Sequence, residues 1–78
     1  MEHSLIADMP RHQYVERCKQ RAFDHLDQGD LKKAAALFVS DMHARPDCEL
    51  PEHVLALGAS LLVARDAVGW RVLIAELR

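Results

Sequence analysis

Apolar residues recur at Val15, Cys18, Ala22 and Leu26, spaced three, four and four apart, the period of one face of an α-helix. Arg17, Gln20, Asp24 and Asp27 fall on the opposite face, and Tyr14 and Phe23 flank the stripe. Lys19 stands at its edge, where the stem can pack while the ammonium reaches water. Asp8 offers an N-cap, and Pro10 suits a first turn, where a missing N–H costs nothing. Gly29 is the residue type that tolerates a left-handed stop. The spacing predicts a helix over roughly residues 9–28. A second stripe follows at once: Leu31, Ala34, Ala35, Phe38 and Met42, behind Asp30 as N-cap. Pro46 cannot continue it and restricts the residue before it, so this helix is expected over roughly 31–45. Leu37 and Ala44 stand off the stripe and give it a second apolar edge.

Pro46-Asp47-Cys48-Glu49-Leu50-Pro51 has the turn chemistry of a loop. Pro51 suits the first turn of a third helix, over roughly 51–65, with Glu52 complementing its dipole. From Val54 to Ala64 that helix is apolar on every side, which predicts burial on every side. Ala56, Gly58, Ala59 and Ser60 allow another backbone to come close. Gly58 costs about 1 kcal/mol relative to Ala in a helix interior, which implies a packing reason for it. Asp66 can cap a last helix over roughly 67–77, with Trp70, Leu73, Ile74 and Leu77 on one face. The alternation of Val68, Trp70, Val72 and Ile74 also fits a strand, but a lone strand leaves its backbone unsatisfied. The expected fold is all-α, a bundle of about four helices in one domain spanning 1–78.

A chain of 78 residues buries only about 60% of its unfolded surface, so partners matter to its stability. Two cysteines are too few for a disulfide scaffold, and both thiols are expected to be packed rather than reactive. A formal charge of −2 argues against a general nucleic-acid or membrane-surface binder. The longest uncharged apolar run, Val54 to Ala64, spans roughly 16 Å as a helix, against about 30 Å of bilayer hydrocarbon. No membrane span is therefore expected. The amino-terminal residues lack a basic start and a long apolar stretch, so no secretory signal is read there and the expected location is cytoplasmic.

The segment Leu26-Asp27-Gln28-Gly29-Asp30-Leu31-Lys32-Lys33-Ala34-Ala35-Ala36-Leu37-Phe38, continuing to Pro46, resembles the second half of a tetratricopeptide repeat. Gly stands at the inter-helix turn, Ala on the packing face and Pro after the helix, but no second copy follows at a 34-residue period, which excludes an array. Arg21-Ala22-Phe23, Leu26-Asp27, Gly29-Asp30-Leu31, Ala34, Ser40-Asp41-Met42 and Pro46 together resemble a group of short, uncharacterised bacteriophage and prophage proteins. The similarity spans residues 21–46, and the chain departs from the group afterwards, with Leu, Ala and Val in place of a Met/Gly-rich stretch. The group carries no established activity. The resemblance implies a small phage-type protein that binds and blocks a host complex, such as a defence target in the manner of an anti-CRISPR.

His43, Cys48 and His53 are spaced five apart around the loop, but a zinc site needs a second close pair, so neither a metal nor another cofactor is expected. Ser4, Ser40 and Ser60 lack a strained turn or an oriented base, and the chain reads as non-enzymatic. The tight Gly29 turn is compatible with a helix-turn-helix. Its second helix offers Lys32, Lys33, Ser40 and Asp41 instead of a base-reading Arg, Asn or Gln set, so DNA binding is the weakest of the three binding readings. Protein binding remains, either to a host protein or to a second copy as a homodimer. It is argued from a third helix that three amphipathic neighbours can barely cover. The expected contact residues are Lys32 and Lys33, which sit in a first turn where the dipole prefers acids, with Leu37 and the anchors Trp70 and Arg71. The bland alternatives stay open: neutralisation of the lysines by Asp27 and Asp30, an isolated exposed Leu37, and core packing for Trp70.

Overall fold

Two turns of the same design fold the chain into a pair of helical hairpins. A computed structural model describes residues 9–77. In it, α1 (Arg11–Asp27) and α2 (Leu31–His43) form the first hairpin. After a short 3₁₀ turn (Pro46–Cys48), α3 (Glu52–Val63) and α4 (Ala67–Glu76) form the second. At the first turn Gly29 has φ +78°, its N–H donates to Leu26 O at 2.9 Å, and the Asp30 N–H reaches back to His25 O at 2.9 Å. This paired arrangement satisfies the last carbonyls of a helix. Asp30 then accepts from the Lys33 N–H at 3.2 Å and starts α2. The second turn repeats these bonds. Arg65 N–H donates to Leu62 O at 3.0 Å and Asp66 N–H to Leu61 O at 2.9 Å. Asp66 accepts from the Gly69 N–H at 2.8 Å. Here the left-handed position, φ +56°, is held by Arg65 rather than by glycine.

The all-α architecture is as the periodicity predicts: among the described residues there are four α-helices and no strand, so the last segment is helix and the strand alternative falls. Boundaries shift by a residue or two. The first helix begins at Arg11 with Pro10 at its N-cap and no side-chain cap; Asp8 lies outside the described residues. The second stops at His43, because Pro46 holds Arg45 extended, at φ −122° and ψ 131°.

Val15, Cys18, Ala22 and Leu26 of α1 meet Ala34, Ala35, Phe38 and Met42 of α2, and Trp70 and Ile74 of α4 complete the buried cluster. Cys48 and Leu50 close one end from the connecting segment. Side chains of α1 also secure two other helix ends. Tyr14 Oη donates to Asp41 O, in the last turn of α2, at 2.6 Å. Lys19 Nζ donates to Ala75 O at 3.3 Å and to Leu77 O, at the end of α4. Lys19 is only 8% exposed, which corrects the expectation that its ammonium reaches water. The carbonyls of a helix end, and the negative pole of its dipole, offer the cation a better-matched site inside.

The larger correction concerns α3. Of its residues only Gly58 is buried, whereas Leu57 is 50% and Val63 85% exposed. The segment is not an interior rod. α1 and α2 spend their apolar stripes on each other and on α4, and too few elements are left to surround a fourth helix in so short a chain. No helix among the described residues is long and apolar enough to cross a membrane.

The two matched turns make a direct comparison. Arg65→Gly removes the steric cost of a left-handed side chain and is expected to raise stability by about 0.5–1 kcal/mol, or the melting temperature by about 4 °C in a domain of this size. Gly29→Ala, placed in open space but at φ +78°, is expected to cost about 1 kcal/mol. Thermal denaturation followed by circular dichroism reads both. A neutral or lower Tm for Arg65→Gly would show that this turn stores no strain.

Candidate binding groove

Small residues on facing helices leave a gap that no side chain fills. Along α2, Ala35, Ala36 and Val39 form one wall; along α3, Val54, Leu55, Ala59 and Leu62 form the other. Phe38, Gly58, Trp70 and Leu73 make the floor, Leu50 closes one end, and the cavity is about 320 Å³. Lys32 is the one charged residue on its lining.

Gly58 is what lets α3 sit where it does. A Cβ there would stand 2.9 Å from Trp70 Cζ2 and 3.0 Å from Cη2, so the indole lies directly on the α3 backbone. This is the packing reason that a mid-helix glycine implies. Trp70 is 4% exposed, and its buried Nε1–H has no hydrogen-bond partner, which is unusual for a buried indole.

The five expected contact residues do not form one patch. Lys32 and Trp70 line the same groove, at its edge and its floor. Lys33 is exposed and Leu37 half-buried; by helical register both lie on the flank of α2 away from the groove. Arg71 is engaged inside the chain: its Nη2 is 2.5 Å from Asp27 Oδ1 and its guanidinium stacks over Phe23 at 5.3 Å. Neither Trp70 nor Arg71 stands free at the surface as an anchor. The apolar edge of α2 that lines the groove is Ala36 and Val39, and Leu37 and Ala44 lie outside its lining. Its signal was present in the sequence, at i and i+3 beside the main stripe, but only the position of α3 shows which edge is faced.

Both cysteines are reduced and buried, Cys48 included, although it lies in the connecting segment. Burial first, and then nearby Asp41, pushes the Cys18 thiol up to about 11. Burial and then Asp47 raise that of Cys48. Thiols so placed stay protonated and unreactive at neutral pH. The Arg45 guanidinium, hydrogen-bonded to Asp47 at 2.7 Å and 3.0 Å, holds that carboxyl below its usual range. His43 and His53 are exposed and Cys48 is buried. Among the described residues, no three His, Cys, Asp or Glu come together as a metal site. Comparison with protein families, with characterised proteins and with solved structures finds no match to this chain.

Two outcomes follow from this geometry. Gly58→Ala gains helix propensity of about 1 kcal/mol but forces a packed indole to move, an overpacking cost of about 1–3 kcal/mol. The net expectation is a loss, with red-shifted tryptophan emission; unchanged emission and a higher Tm would mean that the indole does not rest on α3. Because the Cys18 pKa is raised in the folded state, its contribution is constant below pH 9 and is lost as pH rises from 9 towards about 11. Chemical denaturation across that window should show falling stability, and Cys18→Ala should flatten part of the fall.

Proposed function

We propose that the protein is a non-catalytic binding module that receives a protein partner in the groove between α2 and α3. The observation that carries this reading is the floor of that groove: Trp70, Phe38 and Leu73 lie beneath walls of Ala, Val and Leu, with Lys32 alone supplying charge. Concave apolar surfaces of this kind receive ligands or the apolar face of an amphipathic helix. The exposed flank of α3 supports the same reading, since an apolar surface facing water carries a cost that association removes. The resemblance of residues 21–46 to short phage and prophage proteins favours a host protein complex as the partner, with a defence complex the leading kind. The groove offers no nucleophile–base pair and no basic face for phosphate, so the reading requires neither catalysis nor nucleic acid.

The test is capture from bacterial host extract with variants that separate the groove from other surfaces. Ala36→Glu and Ala59→Glu place a charge on opposite walls and are expected to abolish capture, while Lys33→Glu and Leu37→Glu keep it. Folded groove variants that recover the same partner at wild-type yield would overturn the assignment.

A further inference from the structure

One end of the groove carries charges that its apolar lining does not explain. Lys32 lines the groove and also a second hollow that opens from the same end, where Arg65 joins it beside Gly29 and Leu62. Each cation sits where the chain alone disfavours it. Lys32 lies in the first turn of α2, which holds no acidic residue, at the positive pole of the helix dipole. Arg65 holds the left-handed position, φ +56°, that Gly29 fills in the matching turn, at a steric cost a glycine would not carry.

Internal neutralisation does not account for them. Asp27 pairs with Arg71 at 2.5 Å. Asp30 lines the same hollow, but its carboxylate accepts from the Lys33 N–H, and that of Asp66 accepts from the Gly69 N–H. Lys19, Arg21, Arg45 and Arg71 form ion pairs within the chain; among the described residues, neither Lys32 nor Arg65 has a carboxylate at ion-pair distance. The groove is therefore apolar along its length and cationic at one mouth.

We infer that the occupant of the groove is an amphipathic helix of the partner protein, with its apolar face on Trp70 and Leu73 and a carboxylate beyond that face meeting Lys32 and Arg65. The inference rests on the groove reading and adds the chemistry of the partner. The dimensions fit a helix. Val39 and Lys32 mark the two ends of one wall, and Val54 and Leu62 those of the other, so the groove runs about 10–12 Å at 1.5 Å per helical residue. That length takes about two turns, with apolar anchors at i, i+4 and i+7. An acid one turn further on then falls at the cationic mouth, where opposite charge fixes register and selects against basic competitors. A glycine at position 65 would relax the turn but leave the mouth with Lys32 alone.

Model peptides test this through the emission of Trp70, the single tryptophan of the chain. The probes are end-capped, Ala-rich helices of about 20 residues without tryptophan. They carry Leu at i, i+4 and i+7, and either two Glu or two Lys in the turn before or the turn after the leucines. A Glu peptide is expected to shift Trp70 emission and to bind about tenfold more tightly than its Lys counterpart at low salt, with the difference shrinking as salt screens the charges. Lys32→Glu should reverse the preference. Arg65→Gly, the variant expected to raise stability, should reduce it severalfold, and Lys33→Gln should leave it unchanged; circular dichroism confirms that each variant is folded. Glu and Lys peptides that bind equally, and that Ala59→Glu excludes alike, would overturn the acidic helix while the groove stands as the binding site. Binding that Ala59→Glu leaves intact would overturn both. No response to any peptide up to about 1 mM overturns this inference, and the groove reading is then decided by the capture experiment. Emission that shifts with protein concentration alone would assign the groove to a second copy of the chain and overturn the inference as well.

Discussion

A buried ammonium closes this bundle. Lys19 sits on the inner face of α1 and donates to carbonyls at the end of α4, joining the first helix to the last across nearly the whole chain. The cost of taking that charge out of water is large. It is offset by acceptors that would themselves be orphaned without it, because the final carbonyls of a helix have no partner of their own. The bond also fixes where α4 lies and therefore where Trp70 and Ile74 enter the core. Tyr14 performs the neutral version of the same task for α2, through Asp41 O. α1 thus contributes its apolar stripe to the core and two polar side chains to the ends of its neighbours.

The position of α3 follows from what remains. With α1, α2 and α4 already packed together, α3 rests along their edge, where Gly58 meets the indole of Trp70. Elsewhere along this seam Ala35, Ala36 and Ala59 are too short to meet, and the groove is the space they leave. The same small side chains that bring helices close at one point prevent them from filling the volume at the next.

The periodicity made the helices, their caps and most of the core legible. The stripe of α1 and, apart from the half-buried Leu31, that of α2 are buried as their spacing requires, Asp30 and Asp66 cap as their positions suggest, and Gly29 takes the left-handed conformation. What could not be read was the order of layers. A segment apolar all round looks like an interior element when composition is the only guide. Whether it is covered depends on how many other helices are free to cover it, a property of the assembled chain. Lys19 departs from its sequence expectation for a related reason: a lysine at the edge of a stripe reaches water unless a helix end arrives beside it, and Ala75 and Leu77 lie far away in sequence. The candidate contact residues divided in the same way. Lys32 and Trp70 share a site because α3 and α4 bring their elements together, while Lys33, adjacent to Lys32, points along another flank of α2.

Gly58 and Trp70 have one more consequence. The chain contains a single tryptophan, and it rests at the joint between α3 and the remainder of the bundle. Its ultraviolet emission therefore originates from the place where the least covered helix is held. Any event that lifts, slides or seats that helix would change the colour or intensity of this one chromophore, so the protein carries its own optical gauge of whether α3 is in place.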